Sequence, residues 1–308
     1  MDKKISVIGA GHVGATTAQR IIEKDLADVV LVDIVEGLAE GKALDLMESA
    51  PIEGFNAKIV GTSDYSQTKD SDIVIITAGL ARKPGMSRDD LQATNAKIVS
   101  SIVDSIMKHN SETILLIVTN PLDVMSYLAH KQSGLASNKV IGMAGVLDSA
   151  RYRYFIADEL KISPEIVEAM VLGGHGDSMV PLPKYSTVSG IPITQLISKE
   201  RIEAINDRTR KAGAEIVKLL KTGSAFYSPS AAVTQMAKSI LLDENKILPS
   251  CVYLKGEYDL NDVYCGLPAK LGRGGLKEIV QIELSEQEKK ALTLSSEAVK
   301  ANINKLNL

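Results

Sequence analysis

The chain carries only four histidines, so an imidazole acid or base has to be His12, His109, His130 or His175. His109 and His130 fall near the ends of predicted helices, where an exposed histidine is unremarkable, and His12 lies inside a glycine-rich turn. His175 differs: Gly174 and Gly176 flank it and Asp177 follows, a setting that brings backbone close to a ligand. It reads either as an acid–base group or as a satisfied structural histidine. Asp148 and Arg151 are spaced i, i+3 and share one helix face. The carboxylate could orient an imidazole while the guanidinium holds a substrate acid, with a plain intrahelical ion pair as the alternative. Two arginines, Arg82 and Arg88, bracket a segment punctuated by Pro84 and Gly85. That segment reads as a solvated loop or as a lid that closes on an anion.

These groups need a scaffold that brings distant segments to one crevice. The apolar run Ile5-Ser6-Val7-Ile8 ends in Gly9-Ala10-Gly11-His12-Val13-Gly14, a helix-compatible run follows over 15–24, and a second apolar run over 29–32 ends in Asp33. Strand, tight turn, helix, strand and terminal acid is the order of a dinucleotide-binding βαβ unit. Gly9 serves the turn, Gly11 lets backbone approach a pyrophosphate, and Gly14 lets the helix lie close on its strand. The helix N-terminus offers unpaired N–H groups to the anion. Asp33, 19 residues past Gly14, would accept hydrogen bonds from an adenosine ribose and repel a 2′-phosphate, so NAD is expected rather than NADP. An ordinary strand–helix turn is the plainer alternative.

The rest of the first half continues the alternation. A helix is expected over 37–49, with small residues Ala39, Gly41 and Ala43 that would let another helix approach closely. Strands are expected over 58–60, 73–77, 113–118 and 140–142, and helices from Asp89 to about 109 and from Asn120-Pro121 to about 134. Six strands alternating with helices argue a doubly wound parallel Rossmann sheet with its ligand crevice at the carboxyl ends. From about Met143 the regularity stops. Helices over 148–160 and 202–220, a strand over 169–172, a helix capped by Ser228 ahead of Pro229, antiparallel strands over 250–254, 263–267 and 279–284, and a helix opened by the capping box Ser285 to Glu288 describe an α+β domain. The expected division is 1–142 for the dinucleotide and 143–308 for the substrate. Gly272-Arg273-Gly274-Gly275 sits between strand candidates and reads as a hairpin turn.

At 308 residues the chain is twice the roughly 150 of a typical domain, and 45% apolar residues can fill two cores. A formal net charge of −3 gives no reason to expect a nucleic-acid partner, and the longest apolar runs are strand-sized, which argues against a membrane span. The first strand starts by Ile5, leaving no room for a cleavable secretory signal, and Cys251 and Cys265 form no CxxC or metal-ligand spacing. A reducing cytoplasm is the expected compartment. The two cysteines read as small buried side chains, with a bridge between them as the alternative.

Gly9 to Gly14, Asp33, the loop from Arg82 to Arg88, Asn120-Pro121-Leu122-Asp123, Leu147-Asp148-Ser149-Ala150-Arg151 and Gly174-His175-Gly176-Asp177-Ser178 occur in the order of the lactate/malate dehydrogenase family. The chain resembles that family over essentially its whole length, and within it the lactate-dehydrogenase-like malate dehydrogenases. The resemblance implies NAD-dependent, reversible hydride transfer between malate and oxaloacetate, with no metal. It implies His175 as proton donor and acceptor, Asp148 as its partner, and Arg151 as the clamp on the first carboxylate. Arg88 would polarise the reacting oxygen, and Asn120 would bind the substrate oxygen beside the nicotinamide, with a cis peptide to Pro121. Asn95 and the backbone of Val118, Thr119 and Asn120 would add cofactor contacts. Arg82 stands where lactate dehydrogenases usually carry glutamine and would meet the second carboxylate. A homodimer or homotetramer built on the helix over 37–49 is also implied. The alternatives are an L-lactate dehydrogenase, a non-catalytic NAD-binding protein, and the NAD- and metal-dependent glycosidases of similar fold. The last need cysteine and histidine ligands near the crevice, whereas both cysteines lie far along the chain.

Overall fold

The computed structural model describes residues 2–80 and 87–306, without the side chain of Arg88. The apolar runs form a buried parallel sheet: β1 (Lys4–Ile8), β2 (Asp28–Val32), β3 (Ile59–Thr62), β4 (Ile73–Ile76), β5 (Ile114–Ile117) and β6 (Val140–Gly142). They lie in the order β3-β2-β1-β4-β5-β6 with every pair parallel. All four residues of β4 and of β5 are buried, as expected of strands covered on both faces. The covering helices in this half are α1 (His12–Ile22), α2 (Leu38–Glu53), α3 (Arg88–Met107) and α4 (Leu122–Ser133). Because the chain order reverses between β1 and β4, a crevice opens at their carboxyl ends.

The second half begins with α5 (Gly145–Leu160) and continues through short antiparallel strands: β7 (Val167–Glu168), β8 (Val171–Leu172), β9 (Val180–Pro181), β10 (Thr187–Val188) and β11 (Ile191–Pro192). Then come α6 (Lys199–Leu220), α7 (Tyr227–Leu241), β12 (Lys246–Lys255), β13 (Asn261–Gly272), β14 (Gly275–Ile279) and α8 (Glu286–Ile303). Among the described residues, no helix is long and apolar enough to cross a membrane.

Three expectations need correction. The antiparallel strands β12 to β14 do not stand apart; they extend the parallel sheet to nine strands through a single pair, Cys251 opposite Gly142. A Cβ on Gly142 would lie 2.8 Å from the Cys251 Cβ and 2.5 Å from the Ser126 Oγ, so the junction needs glycine. The strand expected over 279–284 is instead β14, which folds back on β13 across the tight turn at Arg273 and Gly274. Ser228 does not cap α7: the helix starts at Tyr227 after Phe226, two residues earlier than that cap would place it, and Pro229 sits in its first turn, where a missing N–H costs no helix bond. The capping box at α8 forms as expected, with Ser285 Oγ accepting from Glu288 N–H and Glu288 Oε2 accepting from Ser285 N–H.

The first glycine turn gives a testable contrast. A Cβ on Gly14 would lie 1.8 Å from the Gly9 carbonyl oxygen, whereas a Cβ on Gly11 meets nothing within 4 Å among the described residues. Gly14→Ala is therefore expected to lower the melting temperature by several degrees, because overpacking against backbone costs about 1–3 kcal/mol or more. Gly11→Ala is expected to change stability by no more than about 0.5 kcal/mol. Thermal melts of the two variants check this, and equal melting temperatures would contradict it.

Candidate active site

The dinucleotide loop joins β1 to α1. Gly9 has φ +102° and its missing Cβ would sit 2.8 Å from the Ala78 nitrogen, so the turn closes directly against the end of β4. Gly11 caps α1 without a side-chain bond, which leaves the first-turn N–H groups of that helix, beginning at His12 and Val13, to an anion. The open space at Gly11 is what a pyrophosphate lying on the turn requires. Asp33 follows β2: one carboxylate oxygen accepts the Ala10 N–H at 2.7 Å and the other the Val35 N–H at 3.0 Å. The acid is thus held beside the turn with lone pairs left for ribose hydroxyls. Sequence reasoning missed Lys42 on α2, whose Nζ donates to the Ala10 carbonyl at 2.5 Å. The His12 ring is exposed and stacks on Phe226 at 5.0 Å.

Asn95, Val118, Thr119 and Asn120 build the next wall. Asn95 is buried, and its amide is already occupied: Oδ1 accepts the Leu80 N–H at 2.8 Å, while Nδ2 donates to the carbonyls of Leu80 at 3.1 Å and Asn120 at 2.7 Å. It therefore fixes the ends of two crevice loops to each other. Val118 N–H donates to the Ile76 carbonyl, and the Thr119 hydroxyl donates to the Ala78 carbonyl at 2.7 Å. The Asn120 side chain is exposed, and its peptide bond to Pro121 is cis.

The loop after β8 carries His175. Gly173 bridges Gly266 of β13, and the Gly174 N–H donates to Ser295 Oγ of α8 at 2.8 Å. The His175 N–H donates to Asp123 Oδ2 at 2.8 Å. With its backbone pinned, the His175 ring places Nδ1 2.9 Å from Asp148 Oδ2 on α5. Arg151, one turn along α5, puts Nη1 3.7 Å from the other oxygen of Asp148. The side chains are 14%, 3% and 12% exposed for His175, Asp148 and Arg151. Burial disfavours the charged imidazole and the Arg151 cation adds a little to this, but the charge and hydrogen bond of Asp148 together with the charge of Asp123 outweigh them, and the His175 pKa ends above its ordinary value. Burial pulls the Arg151 pKa down, and Asp148 only partly opposes it. Asp148 Oδ1 and Arg151 Nε have no hydrogen-bond partner among the described residues. A buried guanidinium with unspent donors is suited to grip a carboxylate in the bidentate manner.

Of the residues singled out in the sequence, the dinucleotide loop and Asp33 come together on one side, and His175, Asp148 and Arg151 on the other. Arg82 and the Arg88 side chain lie outside the described residues. Asp123, Cys251 and Ser295 were not foreseen. Asp123 belongs to a quoted motif, but an acid in a first helical turn reads as a helix-start preference, and nothing local shows that it is buried. His130 is not a solvated helix-end residue: its ring packs against Tyr253 at 4.9 Å and Tyr264 at 5.7 Å.

A dinucleotide turn and a buried histidine–carboxylate–guanidinium set, meeting at the carboxyl ends of one doubly wound sheet, define a nicotinamide-dependent dehydrogenase. The lactate/malate dehydrogenase NAD-binding domain matches residues 3–142, and the α/β C-terminal domain of the same family matches residues 145–307. A malate dehydrogenase of Chlorobium phaeobacteroides is 56% identical over 304 residues, covering 98% of each chain. A solved malate dehydrogenase of Salinibacter ruber is 49% identical with a TM-score of 0.95, over 99% of this chain and 97% of that one. A lactate dehydrogenase of Cryptosporidium parvum, solved with lactic acid and NAD, is 39% identical with a TM-score of 0.96, over 99% and 98%. The chain belongs to the lactate/malate dehydrogenase family and is an NAD-dependent oxidoreductase.

The position of Asp33 predicts cofactor choice. A 2′-phosphate would approach its carboxylate, and the repulsion should make NADH bind at least about tenfold more tightly than NADPH. Fluorescence titration with each nucleotide measures this, and equal affinities would overturn the role given to Asp33.

Proposed function

We propose that the chain is an NAD-dependent malate dehydrogenase that interconverts (S)-malate and oxaloacetate. The observation that carries the site chemistry is the buried Asp148 carboxylate, bonded to His175 on one side and facing the incompletely paired Arg151 on the other. Nδ1 of His175 is committed to Asp148, so Nε2 is the atom left to exchange a proton with the substrate oxygen. Bound NADH supplies the hydride to the carbonyl carbon. Protonated His175 gives its Nε2 proton to the oxygen, and Asp148 stabilises the imidazolium before that transfer. Arg151 grips the carboxylate next to the reacting carbon, and the Asn120 side chain holds the reacting oxygen. Arg88 supplies a cation to the developing negative charge on that oxygen.

Arg82 sets the choice between malate and lactate in this reading. In a closed, water-poor site, pyruvate leaves its cation unpaired while oxaloacetate brings a second carboxylate to it. Breaking a buried ion pair costs about 3–5 kcal/mol, on the order of hundreds to thousands in specificity. The names of the close relatives support malate over L-lactate as substrate. The assembly in this reading is a homodimer or homotetramer docked through α2, where Leu44 is 62% and Ile52 86% exposed. The compartment is the cytoplasm, supported by two buried thiols that remain free.

Three outcomes test the reading. His175→Asn should bind NADH normally and lose ~100-fold to 10,000-fold in kcat, since that is the usual worth of positioned proton transfer. Near-normal turnover would return His175 to a structural role. The raised His175 pKa gives a sign: oxaloacetate reduction uses the imidazolium, so kcat/KM holds below that pKa and falls as pH rises through it, while malate oxidation uses neutral imidazole and rises over the same interval. Initial rates in both directions across pH 5 to 10 check this, and parallel profiles would contradict it. Arg82→Gln should cut the oxaloacetate-to-pyruvate efficiency ratio by roughly hundreds-fold, whereas Arg88→Gln should depress both substrates. An unchanged ratio in Arg82→Gln would leave the malate assignment without its charge argument.

A further inference from the structure

Asp123 takes no part in the steps above, yet it is the second carboxylate beneath the catalytic loop. It lies in the first turn of α4, two residues after the cis proline peptide, and is 5% exposed. Each of its oxygens has a partner from a different part of the chain: Oδ2 accepts the His175 N–H at 2.8 Å, and Oδ1 accepts from the Cys251 Sγ of β12 at 3.2 Å. Among the described residues no lysine or arginine forms an ion pair with it. A buried acid without a cationic partner is costly, so a fold that keeps one has to supply hydrogen bonds or a charge nearby.

We propose that Asp123 is a positioning residue for His175: its carboxylate fixes the backbone from which the imidazole hangs and, as a second anion beside the ring, helps hold the proton that the ring donates. The Cys251 thiol is the donor that keeps this carboxylate seated. The inference rests on His175 being the acid–base group.

Charge balance favours it. The groups facing the imidazole are Asp148 and Arg151 from α5 and Asp123 from α4; Cys251 of β12 and Cys265 of β13 face Asp123 in turn. Burial pushes both thiols up, so they stay neutral, and Cys251 donates to Asp123. The α8 contact at the loop is the neutral hydroxyl of Ser295. Two carboxylates and one guanidinium then balance only when His175 is protonated. Burial pushes the Asp123 carboxyl up, and its pKa ends above the ordinary carboxylate value, although the charge of His175 and the hydrogen bonds donated by Cys251 and the His175 N–H oppose the rise. The N-terminal end of α4 favours an anion at the same place.

Asp123→Asn tests this, because an amide oxygen can still accept the His175 N–H while the charge is gone. The expected result is a shift of the alkaline limb of oxaloacetate reduction to lower pH by about half a unit to one unit, which is roughly a threefold to tenfold loss in kcat/KM above that limb. NADH affinity should stay within about twofold of the parent, since Asp123 faces the acid–base group. Titration of 15N-labelled His175 by NMR should show the same displacement without any turnover. If the enzyme fails to reduce oxaloacetate but the NMR displacement appears, the malate reading fails and this inference stands. If the His175 titration is unmoved in a folded Asp123→Asn variant, the inference is overturned. Should that variant not fold, Cys251→Ala removes the thiol donor and should move the same titration in the same direction; an unmoved titration there overturns the inference equally.

Discussion

A carboxylate as deeply buried as Asp148 costs several kcal/mol in lost hydration unless donors replace the water, and the substrate half of the molecule is arranged to supply them. Its partners do not come from its own helix alone. His175 arrives on a loop held at three places: Gly173 on β13, Gly174 on α8 and His175 itself on Asp123 of α4. Arg151 comes from the next turn of α5, whose start is seated against β8 and β12, where a Cβ on Gly145 would lie 2.9 Å from the Val171 carbonyl and 2.6 Å from Pro249. The ion pair is left incomplete on purpose of function: an arginine fully satisfied by Asp148 would have no donor to offer a substrate, and one with no acid nearby would be harder to keep charged under burial.

How much of this was legible depended on whether the controlling contact was local. The dinucleotide turn was, because Gly9, Gly11 and Gly14 obey separate local demands: a positive φ, an open surface, and a Gly9 carbonyl oxygen that would lie 1.8 Å from any Cβ added to Gly14. The six parallel strands were legible for the same reason, as short uniformly apolar runs have few other uses. The join between the two halves was not. It rests on Cys251 opposite Gly142, one residue pair separated by over a hundred positions, and neither residue type announces it. The strand expected over 279–284 shows the same limit, since the turn at Gly274, not the apolar run after it, sets where β14 begins and ends.

The site divides along the same line. His175 stood out by its glycine neighbours, yet its role stayed open in the sequence until the i, i+3 pair of Asp148 and Arg151 was found within reach of it in space. Asn95 was expected to contact the cofactor; the structure shows its amide tying Leu80 to Asn120 at the crevice. The residue type alone did not show this tie, because an amide can bind a ligand or close a loop with the same groups.

That tie leads to a coupling between the two halves of the crevice. Asn95 holds the Asn120 carbonyl, Asn120 leads through the cis peptide into α4, and the first turn of α4 holds His175 through Asp123. Four consecutive residues, Asn120 to Asp123, therefore touch the segment next to the dinucleotide wall at one end and the acid–base loop at the other. The link from Asn120 to Asp123 is the chain itself, and the two at its ends are short hydrogen bonds between groups at least partly buried, which do not stretch to accommodate movement; they shift as a body or break. Helix α4 packs against β5, β6, α3 and α8, so it has little freedom to shift alone. The proton donor and the wall beside the dinucleotide are thereby kept in one rigid relation, which is what a reaction needs when a hydride and a proton must reach neighbouring atoms of the same carbonyl.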